Sequence, residues 1–368
     1  MDALRLVAAL AVVLFHFTAR DHIRWGVPPH EAWPLLSQVT RYGYAGVHLF
    51  FVISGFVILM SVWGRTAGQF VASRVSRLYP AYWAAVLLTA ALRWWWPSFE
   101  VRDPWVVVAN LTMLHEPLGV PHVDGVYWTL WVEMQFYLLM LAFILLGVTR
   151  RRVLITTSIA PALCTSAALI WPEGGGHLTF LSWAPMFACG MVLFVIYREG
   201  HTPGRWLIVA FNAVQGVVLA STQKASAIDV IATGGRVSPI ILSTIVVACV
   251  GAVAAVALIP SLKNVDWPAL TLLGALTYPV YLLHEYFGWA LIQALHPAIG
   301  RVGTLVAAIA VCLALAWAIH HVIERPIQRP LRNAVERRLT AISRLVSRLR
   351  QSTGPDHAGP SGRLRKPS

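Results

Sequence analysis

The chain has 368 residues, of which 57% are hydrophobic and 12% charged, and its formal net charge is +13. A soluble domain carries about 25% charged residues, so this composition excludes a soluble multidomain protein and points to a polytopic membrane protein. The positive charge does not imply nucleic acid, because Lys and Arg gather in a few loops and in the C-terminal tail, the pattern of a positive-inside membrane topology.

A spanning helix needs about 20 mainly apolar residues. Ten stretches are expected to span: 2–19, 44–63, 79–96, 127–148, 153–171, 179–197, 206–222, 238–260, 270–295 and 303–323. The first is not followed by a small-residue cleavage site and contains Arg5, so it is expected to be a retained helix rather than a signal peptide. The loops after the second, fourth, sixth and eighth spans, with the tail, hold 20 Lys and Arg, against 8 in the opposite loops. That bias predicts an all-α, multi-pass protein of the inner (plasma) membrane with both termini cytoplasmic. The 16 Trp suit interfacial belts.

Three regions are expected: a membrane domain over 1–330, a basic juxtamembrane helix over 331–350, and a disordered tail over 351–368, rich in Gly, Pro and Ser. The basic helix suits either an anionic lipid surface or solvent. Cys164, Cys189, Cys249 and Cys312 lie in apolar runs without metal spacing, and the 13 His form no HExxH pattern. Neither disulfide nor metal is expected.

Ionisable side chains inside spans are costly and mark function by default. Arg5 and His16 bound the stretch "RLVAALAVVLFH". Eleven positions on a helix make three turns plus roughly 20°, so both share one face, about 16 Å apart along the axis. With the N terminus inside, a cation faces the inner mouth and a base the outer half. The same spacing also suits a snorkelling anchor and a merely hydrogen-bonded histidine. Glu133, in "VYWTLWVEMQFY", falls at the depth of His16. A carboxylate there is expected to orient the imidazole, or to bond Tyr137 one turn on. In "YPVYLLHEYFGW", Tyr278, Tyr281 and His284 form a polar stripe beside Glu285. It suits a wet cavity, or a packing histidine with an interfacial Glu. Arg74 and Arg77 in the first cytoplasmic loop lie one helical turn apart, suited to phosphate or to plain inside anchoring. Glu324-Arg325-Pro326 suits an ion pair before a helix-ending proline.

These pieces together resemble the acyltransferase-3 family of integral membrane acyltransferases. Arg5 and His16 match its Arg-x10-His signature, and "GVHLFFVISGFVI" matches its second-helix motif. "FVASRVSRLYPAYW" matches its Arg-x-x-Arg segment, "YWTLWVEMQFY" its Trp-Ser/Thr-Leu-x-x-Glu stretch, and "YPVYLLH" and "ERP" its last two helices. The likeness covers roughly residues 2–330. His48 stands where many members have an acidic residue, and the hydrolase-like domain that some members append has no counterpart in the residues given.

The resemblance implies transfer of an acyl group, usually acetyl, from cytosolic acyl-CoA to a hydroxyl of a carbohydrate or another natural product, with no permanently bound cofactor. His16 is then the general base, Glu133 orients it, and Arg5 steadies the donor. Arg74 and Arg77 hold CoA phosphates, and His284, Tyr281 and Trp128 meet substrate. The lipid bilayer, acyl-CoA and a glycosylated acceptor are the expected partners. Two other readings fit the spans and the polar seam: a transporter of a polysaccharide precursor or small organic acid, and a scaffold without chemistry. The Arg-x10-His signature favours the enzyme.

Overall fold

The computed structural model describes residues 1–171, 179–263 and 267–352, and among these it is helical with no strand. The major helices are α1 (Asp2–Thr18), α2 (Gly46–Val62), α3 (Ala67–Trp95), α4 (Pro104–Leu111) and α5 (Trp128–Leu146). They continue as α6 (Arg150–Ile170), α7 (Ala184–Glu199), α8 (Pro203–Leu219), α9 (Pro239–Leu258), α10 (Pro268–Ile319) and α11 (Arg325–Ser352). At Gly300, φ is +69°, and this break divides α10 into two helices.

Local chemistry sets the starts. Thr66 and Gln69 close a reciprocal capping box on α3, and Thr149, Thr202 and Ser238 cap α6, α8 and α9. The box starts α3 at Ala67, so Arg74 and Arg77 lie on a helix rather than in a loop. Proline occupies the first turn of α4, α8, α9 and α10, where its missing N–H costs no hydrogen bond.

Among the described residues, six helical stretches are long and apolar enough to cross a membrane. They contain α2, α5, α6, α8 with its continuation to Ile231, α9 and α10. Of the ten expected spans, those of α1 and α7 fall short by this measure, at 17 and 16 residues. Tyrosine, tryptophan and arginine dilute α3.

α7 is the centre of the bundle, with every residue from Ala184 to Ile196 buried. It crosses α2 at backbone contact. A Cβ on Gly55 would overlap the Phe187 carbonyl oxygen, and one on Gly190 would overlap that of Val52. Small residues allow this approach, which compensates for the weak hydrophobic drive between helices in lipid. Around the contact, Phe51 stacks on Phe187, and Phe187 on Phe136 of α5. α1 packs along α10, and α11, which holds the basic stretch 331–350, packs against α3. Most of the tail expected to be disordered, from 353 onward, lies outside the described residues.

At the other end of α3, buried Arg93 holds three elements together. It donates to the carbonyls of Glu100 and Val123 and to the Tyr286 hydroxyl, at 2.7–2.8 Å. Gly55→Val should destabilise the protein by at least about 2 kcal/mol through overpacking. The check is a lowered melting temperature and a broadened size-exclusion peak, and a wild-type profile would contradict the crossing.

Candidate active site

Helix α1 carries both Arg5 and His16, which its spacing placed on one face. Each opens into its own cavity.

The larger cavity, about 150 Å³, is lined by Arg5, Arg74, Arg77 and Glu133 together with Ser54, Tyr137, Tyr278 and Tyr281. Three guanidiniums therefore face one carboxylate across a partly apolar space. Asp2 holds Arg5 by accepting from Nη1 at 3.0 Å. Glu133 accepts from the Tyr137 hydroxyl at 2.7 Å, one turn on, and from Ser54 at 3.5 Å. The Arg74 guanidinium lies 5.8 Å from the Tyr137 ring centroid, within cation–π range.

The smaller cavity, about 40 Å³, is lined by His16, Arg20, Tyr44, Trp128, Val47 and Tyr281, among others. Val47 and Tyr281 also line the larger one, so the two cavities are neighbours sharing a wall. The Tyr281 hydroxyl in that wall lies 2.8 Å from the Thr129 hydroxyl, and both reach the Val126 carbonyl.

Hydrogen bonds assign the protons around His16. Its Nδ1 lies 2.8 Å from the Val12 carbonyl, which can only accept, so Nδ1 carries the proton. His284 Nδ1 is likewise 2.9 Å from the Tyr281 carbonyl, which leaves His284 Nε2 as an acceptor 3.2 Å from His16 Nδ1. His16 Nε2 therefore keeps its lone pair. It lies 3.7 Å from Glu285 Oε2, too far for a hydrogen bond but close enough for charge to act. Glu285 is 1% exposed, and its other oxygen accepts from Arg20 Nη1 at 3.1 Å. Asp124, also buried, faces the same carboxylate. The Trp289 indole N–H donates to the His16 carbonyl at 3.1 Å, which locks α10 to the end of α1.

The structure thus corrects one pairing. Glu133 does not orient His16. Glu133 points into the Arg5 cavity and bonds Tyr137, so it sits with Arg5 rather than at the level of His16, and the carboxylate beside His16 is Glu285. Arg5, Arg74, Arg77 and Tyr281 line the larger cavity, and His16, Trp128 and Tyr281 line the smaller. His284 backs His16 rather than lining either. Arg20 and Glu285 were not singled out as site residues, although Arg20 is four residues after His16 and Glu285 adjoins His284. In the segments beyond α1 and α3, Trp25, His115 and Asp124 are buried, while Trp105 is exposed. His48 is also buried, with its ring 4.8 Å from that of Trp183.

The turn before α5 leaves no room beside Glu285. A Cβ on Gly125 would come within 2.9 Å of both carboxylate oxygens. Gly125→Ala should therefore displace Glu285 and cost about 1–3 kcal/mol of stability, read as a fall in melting temperature. An unchanged melting temperature would mean that the carboxylate is not confined as described.

An acyltransferase domain model matches residues 1–321. The chain is 26% identical over 310 residues to BcsY of Komagataeibacter xylinus, by name a membrane-bound transacylase, covering 77% of this chain and 71% of that protein. It is 26% identical over 166 residues to the peptidoglycan O-acetyltransferase OatA of Listeria monocytogenes, covering 39% of this chain and 24% of that one. It is also 26% identical over 172 residues to the exopolysaccharide production protein ExoZ of Rhizobium meliloti, covering 44% and 53%. No solved structure gives a significant match. With a family match over nearly the whole helical bundle, the chain belongs to the acyltransferase-3 family and is a membrane O-acyltransferase.

Proposed function

We propose that the protein moves an acyl group, acetyl in the first instance, from cytosolic acyl-CoA to a hydroxyl of a carbohydrate or glycosylated natural product on the far side of the plasma membrane. The observation that carries this reading is the pair of cavities sharing Val47 and Tyr281, one cationic and one holding His16. The names of relatives that act on peptidoglycan or serve exopolysaccharide production support a carbohydrate acceptor.

In this reading the chain crosses the membrane ten times with both termini in the cytoplasm, and the short helices α1 and α7 cross within the bundle. Arg74 and Arg77 take the CoA phosphates, for which guanidinium pairs are suited. Arg5 steadies the donor's anionic part, and Glu133, held by Tyr137, limits the positive charge deeper in the cavity. Arg5 and His16 lie about 16 Å apart along α1, a distance that the extended arm of CoA can follow.

At the wall between the cavities, His16 Nε2 accepts the proton of the acceptor hydroxyl as its oxygen attacks the thioester carbonyl. Glu285 stabilises the imidazolium across 3.7 Å. Collapse of the tetrahedral intermediate breaks the C–S bond, and the departing thiolate takes the proton from Nε2. The ester and free CoA are then the products. Trp128, stacked on Tyr44, gives the acceptor sugar an aromatic face.

The test uses purified protein in lipid nanodiscs with acyl-labelled acetyl-CoA and glycans extracted from the host envelope. Free thiol and labelled glycan are followed together. His16→Gln should lower transfer by about 100- to 10,000-fold while leaving donor binding intact. Arg74→Ala should raise the KM for acetyl-CoA roughly tenfold, from the loss of a charge-assisted hydrogen bond, with kcat changed less. A folded His16→Gln variant that transfers at the wild-type rate would overturn the mechanism.

A further inference from the structure

The loop between α4 and α5 gathers three metal-ligating side chains that the transfer mechanism does not use. His115, Glu116 and His122 offer ligand atoms that all lie within 4.8 Å of one another. His115 Nε2 is 2.8 Å from His122 Nδ1, and His122 Nε2 is 2.9 Å from Glu116 Oε2. His115 is 0% exposed, and its Nδ1 has no hydrogen-bond partner. The side chains of His122 and Glu116 are 28% and 15% exposed, so an ion has a route in from solvent.

We propose that His115, Glu116 and His122 form a binding site for a divalent transition-metal cation of the zinc class. Two imidazoles and one carboxylate are a donor set suited to such an ion, with a coordination position left for water. Ligand atoms on one tetrahedral zinc lie about 3.3 Å apart, and the three residues offer one atom each within 4.8 Å of one another, so side-chain rotations of roughly 1.5 Å bring them onto one ion.

The loop is held from outside the cluster, which preorganises it. Tyr79, Trp83 and Tyr82 of α3 donate to the carbonyls of Thr112, Leu111 and Asn110 at 2.7–3.0 Å. The Asn110 amide donates to the Pro121 carbonyl and accepts from the Val123 N–H. Arg93 donates to the Val123 carbonyl. Both ends of the segment that carries the ligands are therefore fixed. The next residue after it, Asp124, faces Glu285, so a bound ion would stiffen the chain that leads into the active site. The site stands independently of the transfer reading, because none of its residues lines either cavity.

The test takes the full chain without a polyhistidine tag, strips it with a chelator in nanodiscs, and titrates it with ZnCl2. Zinc retained after desalting is measured, and a parallel CoCl2 titration reads the visible absorption of bound cobalt. One zinc per chain is expected, with a cobalt band and a zinc-dependent rise in melting temperature. His122→Gln and Glu116→Gln should each weaken binding at least about tenfold. Surface His201→Gln should leave binding unchanged. The metal-free melting temperature of His122→Gln, a partly exposed position, should equal that of the metal-free wild type, which separates loss of the site from loss of the fold. No retained zinc, or zinc retained equally by His122→Gln, would overturn the proposal.

Discussion

A carboxylate taken out of water inside an apolar bundle is the constraint on which the rest of the site depends. Glu285 is 1% exposed on a helix that is otherwise almost wholly apolar around it. Isolated, its charge would cost several kcal/mol. Arg20 meets one oxygen, His16 approaches the other, and the turn carrying Asp124 and Gly125 closes over both. Meeting those demands places α1, α10 and the start of α5 relative to one another. Site and fold are therefore the same contacts seen twice. The Val12 carbonyl and the edge-on His284 ring hold the imidazole in one tautomer, and the Trp289 bond to the His16 carbonyl fixes the backbone that carries it.

The second constraint is the separation of charge along α1. Two further cationic side chains, Arg74 and Arg77, collect with Arg5, and one cation, Arg20, is neutralised against Glu285 beyond His16. Between them lies a thin wall of Val47 and the Tyr281–Thr129 hydroxyl pair. In the proposed reaction, a polyanionic donor is attracted at one end only. A neutral hydroxyl is better accommodated at the other, where the free cation has already been paired.

Much of this was legible in the sequence. A 3.6-residue period puts Arg5 and His16 on one face whatever the neighbours do, and apolar runs locate the helices to within a few residues. The capping box at Thr66 was also readable, and would have moved the start of α3 back to include Arg74 and Arg77. Partner choice was not legible. Depth estimated from hydropathy put Glu133 level with His16, whereas the structure puts it beside Arg5. Rotation about each helix and the order of helices in the bundle decide which carboxylate meets which base, and neither follows from hydropathy. Glu285 sits one residue past His284, about 100° further round the helix, and that turn brings it to His16. The His115–Glu116–His122 cluster was hidden for a different reason. Its spacing fits no helix-borne metal motif, and the clamps from α3, Asn110 and Arg93 hold the loop that brings positions 115 and 122 together.

The central claim is that donor and acceptor reach His16 from opposite faces of the membrane. Proteoliposomes sorted for one orientation by a protease site placed after residue 352 would test it directly. Labelled acetyl-CoA is sealed on the face that carries Arg74 and Arg77, and envelope glycan is supplied only on the other face. The account predicts labelled glycan on the far side, with CoA accumulating where the donor began, and no labelling when the two compartments are exchanged. Labelling only when donor and acceptor share one face would contradict it.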